Sequence, residues 1–393
     1  FDYRSDKMST EKITFLTNWH ATPYHAPLYL AQAKGYFRDE GIQVAILEPN
    51  DPSDVTEIIG SGKADLGFKA MIHTLAAKGY FRDEGIQVAI LEPNDPSDVT
   101  EIIGSGKADL GFKAMIHTLA AKARRFPVLS IGSLLDEPFT GMIHLSGSGI
   151  NDKVESLAGK RIGYVGEFGK IQIDNVMSRH GLSPSDYTAV RCGMNVSSAL
   201  IKGEIDAGIG LDNVQMVEVE EWLLSQGRLR SEVHMLRIDQ LAELGCCCFC
   251  SVLYIGNEAF ISRNPEGVRA FMRAVKRATD FVMADPHAAW EQYVDAKPVM
   301  AGRLNRVMFE RSFAFFSPDL KNVARDWDKV TKYGQRLGLL GPDFEPNYTN
   351  DFLGWTLEPD SPDPVGDQRR MAELQRDVAC RGGFRRLPAT VRV

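Results

Sequence analysis

Several familiar signatures are missing from this chain, and each absence narrows the field. No run approaches the roughly 18 apolar residues of a membrane span, and the opening FDYRSDKMSTEKITFL has no apolar signal region. Basic charge is not in excess: 45 Lys and Arg stand against 52 Asp and Glu, a formal net charge of −7 at pH 7. Nothing therefore favours nucleic acid or an anionic membrane. G-x-S-x-G, H-E-x-x-H, a Walker loop and a full G-x-G-x-x-G fingerprint are all lacking, so the motif-bearing hydrolases, zinc peptidases and nucleotide binders have no support. Cysteine is scarce: Cys192, Cys246, Cys247, Cys248, Cys250 and Cys380. Four of these crowd into five positions, a poor disulfide framework; a reducing, cytoplasmic setting is expected, with metal or redox chemistry open.

What is present is an ordinary globular composition, 44% hydrophobic and 25% charged over 393 residues, long enough for two domains. Residues 34–77 recur letter for letter as residues 78–121. Solenoids are built from diverged repeats and need about three units, so one copy belongs to the fold and the other is an insertion. A native path follows the first copy to a crossover point and then skips to the equivalent point in the second. Most permissible points, including the loops at Gly41, Pro49–Pro52 and Gly60–Lys63, precede Lys69. The expected pair is therefore Lys113 and His117 rather than their duplicates Lys69 and His73.

The periodicity predicts alternating strands and helices. KITFLTNW reads as a first strand, APLYLAQAKGYF as a helix stopped at Gly35, and IQVAIL as a strand. A short helix ends at Gly60-Ser61-Gly62, ADLGF is a strand, and MIHTLAAK a helix. KRIGYV, YTAVRC, DAGIG, HMLRI and CFCSVLYIG read as later strands, with helices at KIQIDNVMSRHG, SSALIKG and NPEGVRAFMRAVKRATDFVMADP. IIGSGKADLGF and LIKGEIDAGI share one grammar: helix, glycine turn, Asp, small residue, Gly. They are read as equivalent corners of two similar lobes. The expected class is α/β, a two-lobed, periplasmic-binding-protein-like (type II) fold with mainly parallel sheets and a ligand cleft between the lobes. The expected divisions are an N-terminal extension over 1–7, the first part of lobe one over 8–145, lobe two over 146–250, a return to lobe one with C-terminal helices over 251–358, and a polar tail over 359–393.

Four groups could carry chemistry. Lys113 closes a strand and His117 follows one helical turn later; a helix starting at the lysine would put both side chains on one face. A buried lysine with a lowered pKa can form a Schiff base with an aldehyde, while a solvated lysine and a core histidine remain the plainer alternative. Gly166, Glu167, Phe168 and Gly169 join a strand to a helix, where backbone N–H groups can meet a phosphate, or form an ordinary turn. Cys246, Cys247, Cys248 and Cys250 offer soft thiolates to a metal or small apolar side chains to a buried strand. Asn18 and Trp19 end the first strand, with His25 nearby, where ligand contacts gather in parallel sheets.

At these residues the chain resembles the fungal 4-amino-5-hydroxymethyl-2-methylpyrimidine phosphate synthase family, the thiamine pyrimidine synthases. NW-x-x-TPYH, KGYF, SLLDEPFTG, GKRIGYVGEFGKIQID, DYTAVRCGMNV, FKAMIHTLAAKA and LGCCCFC carry the resemblance, which spans about Met8 to Trp355 once the extra 44 residues are removed. It implies a single-turnover enzyme of thiamine biosynthesis. Such an enzyme builds the pyrimidine from pyridoxal 5′-phosphate, as substrate, and one of its own histidines, with an Fe cation and oxygen. By the same resemblance Lys113 holds the pyridoxal phosphate, His117 is consumed, and Gly166 to Gly169 bind the phosphate. Asn18 and Trp19 then line the pocket, the cysteine run is the iron motif, and the protein is a homodimer. The duplicated block is a departure from the family pattern. The alternative is a cytosolic solute-binding-like protein for a pyrimidine or pyridoxal phosphate, without catalysis.

Overall fold

The computed structural model describes residues 11–18, 21–48, 98–136, 140–193, 195–241 and 251–357. Of the duplicated block, Lys34–Glu48 come from the first copy and Asp98–Ala121 from the second. Together they make up one block except for its Pro-Asn-Asp-Pro-Ser stretch. The change of copy thus falls at the Pro49–Pro52 loop. Lys69 and His73 lie outside the described residues, as do Trp19, the Cys246–Cys250 run and the tail beyond Leu357.

Two five-stranded sheets organise the chain. The first has the order β2-β1-β3-β10-β4, from β1 (Glu11–Leu16), β2 (Ile42–Leu47), β3 (Leu110–Ala114), β4 (Val128–Leu135) and β10 (Val252–Asn257). The second has the order β7-β6-β8-β5-β9, from β5 (Thr140–Leu145), β6 (Arg161–Tyr164), β7 (Thr188–Arg191), β8 (Ala207–Leu211) and β9 (Val233–Arg237). In each sheet one strand opposes the rest, β10 in the first and β5 in the second. These are the strands on which the chain enters one sheet after leaving the other. The sheets are therefore mixed, with all other strands sharing one direction.

The lobe boundary expected at 145 falls earlier. β5 pairs with β8 and β9, so the chain changes sheet between Leu135 and Thr140. The segment TGMIHL reads as a strand from its own residues, but its partners lie more than sixty positions away and leave no local mark.

The two corners read as equivalent have the same construction. Helix α3 (Asp98–Gly104) turns at Gly106, with φ +74°, into Asp109 and β3. Its counterpart over Val196–Ile201 turns at Gly203, with φ +70°, into Asp206 and β8. Asp109 accepts the Thr14 backbone N–H at 2.7 Å, and Asp206 accepts that of Arg161 at 2.8 Å. Each carboxylate thus ties the corner to the central strand beside it. Gly111 and Gly208 follow two residues after these aspartates. A Cβ on Gly111 would stand 2.5 Å from the Leu16 carbonyl oxygen, and one on Gly208 would stand 2.4 Å from Val196 Cγ1. Only a bare backbone fits there.

Helices cover the sheets. In the first lobe α1 (Ala26–Ala33) packs on α10 (Pro265–Ala284), whose apolar stripe is buried from Val268 to Val282. Phe15, Phe112, Tyr254 and Phe271 form the aromatic heart of that layer, with Phe15 edge-on to Phe112 at 4.7 Å and stacked on Phe271 at 5.2 Å. Each such ring removes a large apolar area from water. Helix α12 (Arg303–Ser312) touches both lobes. It packs on the Pro23–His25 turn of the first. On the second, Arg311 pairs with Asp212 at 3.1 Å and Glu220 at 2.7 Å, and Ser312 accepts a 3.0 Å bond from Asn213. Among the described residues no helix is long and apolar enough to cross a membrane.

Candidate active site between the lobes

Lys113 lies in β3 and not at a helix start. It is paired in register with Leu253 of β10 and is 2% exposed. Ala114 is the N-cap, and α4 runs Met115–Ala123. Lys113 thus lies near the end of its strand, and the shared helical face that a helix starting at the lysine would give does not arise. Lys113 instead reaches the site from the carboxyl end of a central strand, and His117 from the first turn of the helix that follows. A strand gives the lysine a fixed backbone, and the strand-to-helix junction brings the histidine back over it.

The His117 imidazole is half-buried overall, but its Nδ1 is fully buried and has no hydrogen-bond partner among the described residues. Burial pushes its pKa well below the ordinary 6.5, and the positive charges of Lys113 and Arg124 push the same way. The ring is therefore neutral near pH 7, with a nitrogen that none of the described residues partners. A buried polar atom without a partner costs free energy, typically ~1–3 kcal/mol. Such an arrangement is usual where a ligand is to complete the bonding.

Across the cleft stands the turn from β6 into α5 (Glu167–Arg179). Gly166 is its N-cap in extended conformation, so the helix begins at Glu167, earlier than the sequence pattern places it. Phe168 and Gly169 then fall in the first turn, where backbone N–H groups have no intrahelical partner. A Cβ on Gly169 would lie 3.2 Å from Tyr164 Cβ, so the glycine lets helix and strand close up. Phe168 is buried, with its ring edge-on to His117 at 4.3 Å between centroids. That contact places the glycine turn of lobe two against the lysine–histidine element of lobe one.

Asn18 follows β1. β1 and β3 pair Phe15 with Leu110 and Leu16 with Gly111, so Asn18 leaves β1 just past that pairing, as Lys113 nears the end of β3. Its Oδ1 lies 2.9 Å from His25 Nε2, and its Nδ2 donates to the Tyr24 hydroxyl at 3.3 Å. Close by, Glu48 at the end of β2 accepts from the Ala21 backbone N–H at 3.0 Å and from the Tyr29 hydroxyl at 2.7 Å, and it pairs with Lys297. Burial opposes ionisation of Glu48, yet the hydrogen bonds and the Lys297 charge win and hold its pKa below the usual range.

The structure thus sets His117 against the Gly166–Gly169 turn, with Lys113 and Asn18 at the ends of neighbouring strands of the first lobe. Asp136, at the end of β4 where the chain leaves the first lobe, escaped sequence reasoning. Burial pushes its pKa up to about 7, with Asp319 and Asp326 adding to the rise. Nothing in LLDEPF marks that aspartate as buried. His25 was noted only as a neighbour, although Thr22 and His25 stand at the spacing of a helix N-terminal capping pair. Among the described residues no group of three or more potential metal-ligating side chains occurs.

Fold and cleft define a two-lobed, periplasmic-binding-protein-like α/β protein. Among solved structures, the alkanesulfonate-binding protein SsuA from Xanthomonas axonopodis pv. citri matches it with a TM-score of 0.57 at 16% identity, over 86% of this chain and 98% of that one. That likeness speaks for the fold alone. The NMT1/THI5-like family model matches residues 22–78 and 75–289, two pieces that meet inside the duplicated block. The chain is 64% identical over 97% of its length to a 4-amino-5-hydroxymethyl-2-methylpyrimidine phosphate synthase of Aspergillus parasiticus, covering 98% of that protein. It is 53% identical over 96% of both chains to the protein of the same name from Schizosaccharomyces pombe. The chain belongs to the NMT1/THI5-like family of 4-amino-5-hydroxymethyl-2-methylpyrimidine phosphate synthases.

Proposed function

We propose that this protein forms 4-amino-5-hydroxymethyl-2-methylpyrimidine phosphate for thiamine biosynthesis, in a single turnover, from pyridoxal 5′-phosphate and its own His117. Family membership supports the product. The observation that carries the site is the neutral His117 imidazole, its buried Nδ1 unpartnered among the described residues, four residues after Lys113 and in contact with the glycine turn opposite.

Each residue has a physical task. Lys113, buried at a strand end, would bind the aldehyde carbon of pyridoxal phosphate. The first-turn N–H groups behind Gly166 would take its phosphate, with the α5 dipole favouring the anion. Asn18 would meet a further polar atom of the substrate, and Trp19 belongs to the same proposal. His117, kept neutral, retains a nitrogen lone pair for reaction, which a protonated ring would lack. Holding the pyridine ring beside the imidazole replaces a bimolecular encounter with an intramolecular one. Iron, when bound, would supply the oxidative ring-breaking that side chains cannot. The cysteines proposed for it lie outside the described residues. A cytoplasmic homodimer belongs to the same proposal, on the family resemblance alone.

The test is direct incubation of the purified protein with pyridoxal phosphate, ferrous iron and oxygen, with chromatographic detection of the pyrimidine phosphate. At most one product molecule per chain is expected. Absence of product from protein that binds pyridoxal phosphate would favour the solute-binding alternative.

A further inference from the structure

The Thr22–His25 turn makes a chain of hydrogen bonds whose polarity can be worked out. His25 is fully buried, stacked on Phe112 at 5.2 Å and 11°, and Phe112 precedes Lys113 in β3. The Thr22 backbone N–H donates to His25 Nδ1 at 3.2 Å, and the Thr22 hydroxyl lies 3.1 Å from the same atom. A backbone N–H can only donate, so Nδ1 carries no proton. The proton of the neutral ring is then on Nε2, and the 2.9 Å contact with Asn18 is Nε2–H donating to Oδ1. With Oδ1 accepting, the Asn18 amide nitrogen is the end that reaches the Tyr24 hydroxyl at 3.3 Å. Flipping the amide would set two donors face to face at His25. Thr22 is itself held from the far side, since its carbonyl accepts from the Tyr293 hydroxyl at 2.8 Å.

We propose that His25 is a positioning residue: as a neutral, Nε2-protonated imidazole it locks the Asn18 amide with its N–H side available to the cleft, so that the substrate atom met there is a hydrogen-bond acceptor. This rests on the placement of pyridoxal phosphate at Lys113 for its second half, but not for its first. Asn18 lies just past the β1–β3 pairing that leads to Lys113 and is half-exposed, so a rotated amide would turn an acceptor toward an anionic substrate. His25 touches no reacting atom. It acts through Asn18, while its ring fills the space over Phe112.

Two measurements test the two halves separately. In ligand-free protein labelled with 15N at histidine, the His25 signals, identified by their loss in His25→Gln, are expected to show the Nε2-protonated neutral tautomer at pH about 7.5. An Nδ1-protonated or exchange-averaged pattern overturns the proposal whatever the protein binds. In pyridoxal phosphate titrations, His25→Phe keeps a ring over Phe112 but loses the donor, and is expected to weaken binding about tenfold. His25→Gln restores an N–H near the Nε2 position and should bind within about threefold of the parent. Asn18→Asp still accepts from His25 but offers the cleft no donor, and should lose about tenfold or more. Parent-like binding by Asn18→Asp, or equal losses in the Gln and Phe variants at equal thermal stability, overturns it. Should the Phe variant fail to fold, the tautomer and Asn18→Asp decide. If the parent protein does not bind pyridoxal phosphate, the functional assignment fails, and the tautomer measurement still stands on its own.

Discussion

The imidazole of His117 meets the ring of Phe168 edge to face, with centroids 4.3 Å apart and planes at 61°. One residue sits on the first turn of α4 in the first lobe, the other on the first turn of α5 in the second. The two-lobed fold thus turns a pair of unrelated helix starts into opposite walls of one cleft. A ligand bound beside this contact would be flanked by both lobes.

A neutral histidine leaves a signature in stability. The folded-state pKa of His117 lies well below 6.5, so below about pH 6.5 the unfolded chain binds a proton that the folded chain refuses. The sign is that stability declines as the pH falls from about 6.5 toward the folded value, and is unaffected by this group above it. His117→Asn removes the titration. Urea unfolding at pH 7.5 and 5.5 should show a stability difference smaller by about 1 kcal/mol in the variant. An unchanged difference would show that His117 titrates normally.

Asp136 predicts the opposite slope. Its carboxyl is raised from 3.8 to about 7 by burial, with Asp319 and Asp326 contributing, while it accepts from the Ser133 hydroxyl at 2.8 Å. A raised acid binds its proton more tightly in the folded state, so its contribution to stability is lost as the pH rises from about 4 through 7. Asp136→Asn keeps an acceptor for Ser133 and cannot ionise. The variant should match the parent below about pH 4 and exceed it at pH 8 by about 2–4 kcal/mol. A variant less stable than the parent at pH 8 would contradict this.

The ion pairs of Arg311 hold α12 to the second lobe. Both carboxylates it meets, Asp212 and Glu220, are largely buried with it. Arg311→Met leaves them without a counter-charge in a poorly solvated place, a loss on the order of 3–5 kcal/mol. Thermal unfolding of the variant should fall by several degrees or more. Because α12 also packs on the Pro23–His25 turn, pyridoxal phosphate affinity should fall with it. A variant as stable as the parent would show the pairs to be solvent-screened.

Much of this was legible in the sequence where the signal is local. Gly35, Gly106 and Gly203 stop helices where their left-handed backbone is needed, and the Asp-x-Gly spacing marked both corners of the pseudo-repeat. The loop at Pro49–Pro52, one of the crossover points the sequence allowed, is where the described path changes copy. What stayed hidden depends on distant partners. β5 looks like any strand until β8 and β9 are known. Lys113 is legible as the end of a strand, but its pairing with Leu253 of β10 is not. The charges of Asp319 and Asp326 that add to the rise at Asp136 lie far along the chain, and the role proposed for His25 comes from an amide seven residues upstream. Identity of the two copies also means that sequence could order Lys113 and His117 ahead of Lys69 and His73 only by counting crossover points.

That ordering is the most direct test of the whole account. After incubation with pyridoxal phosphate, ferrous iron and oxygen, the chain can be digested and the peptides bearing the two histidines quantified by mass spectrometry. Partial digestion across the unique flank ARRFPV distinguishes the second copy from the first. The expected result is loss of intact His117, in step with product formed, with His73 unmodified; His117→Asn should abolish product and His73→Asn should not. Intact His117 alongside product, or equal loss at both histidines, would contradict the assignment of the site to the second copy.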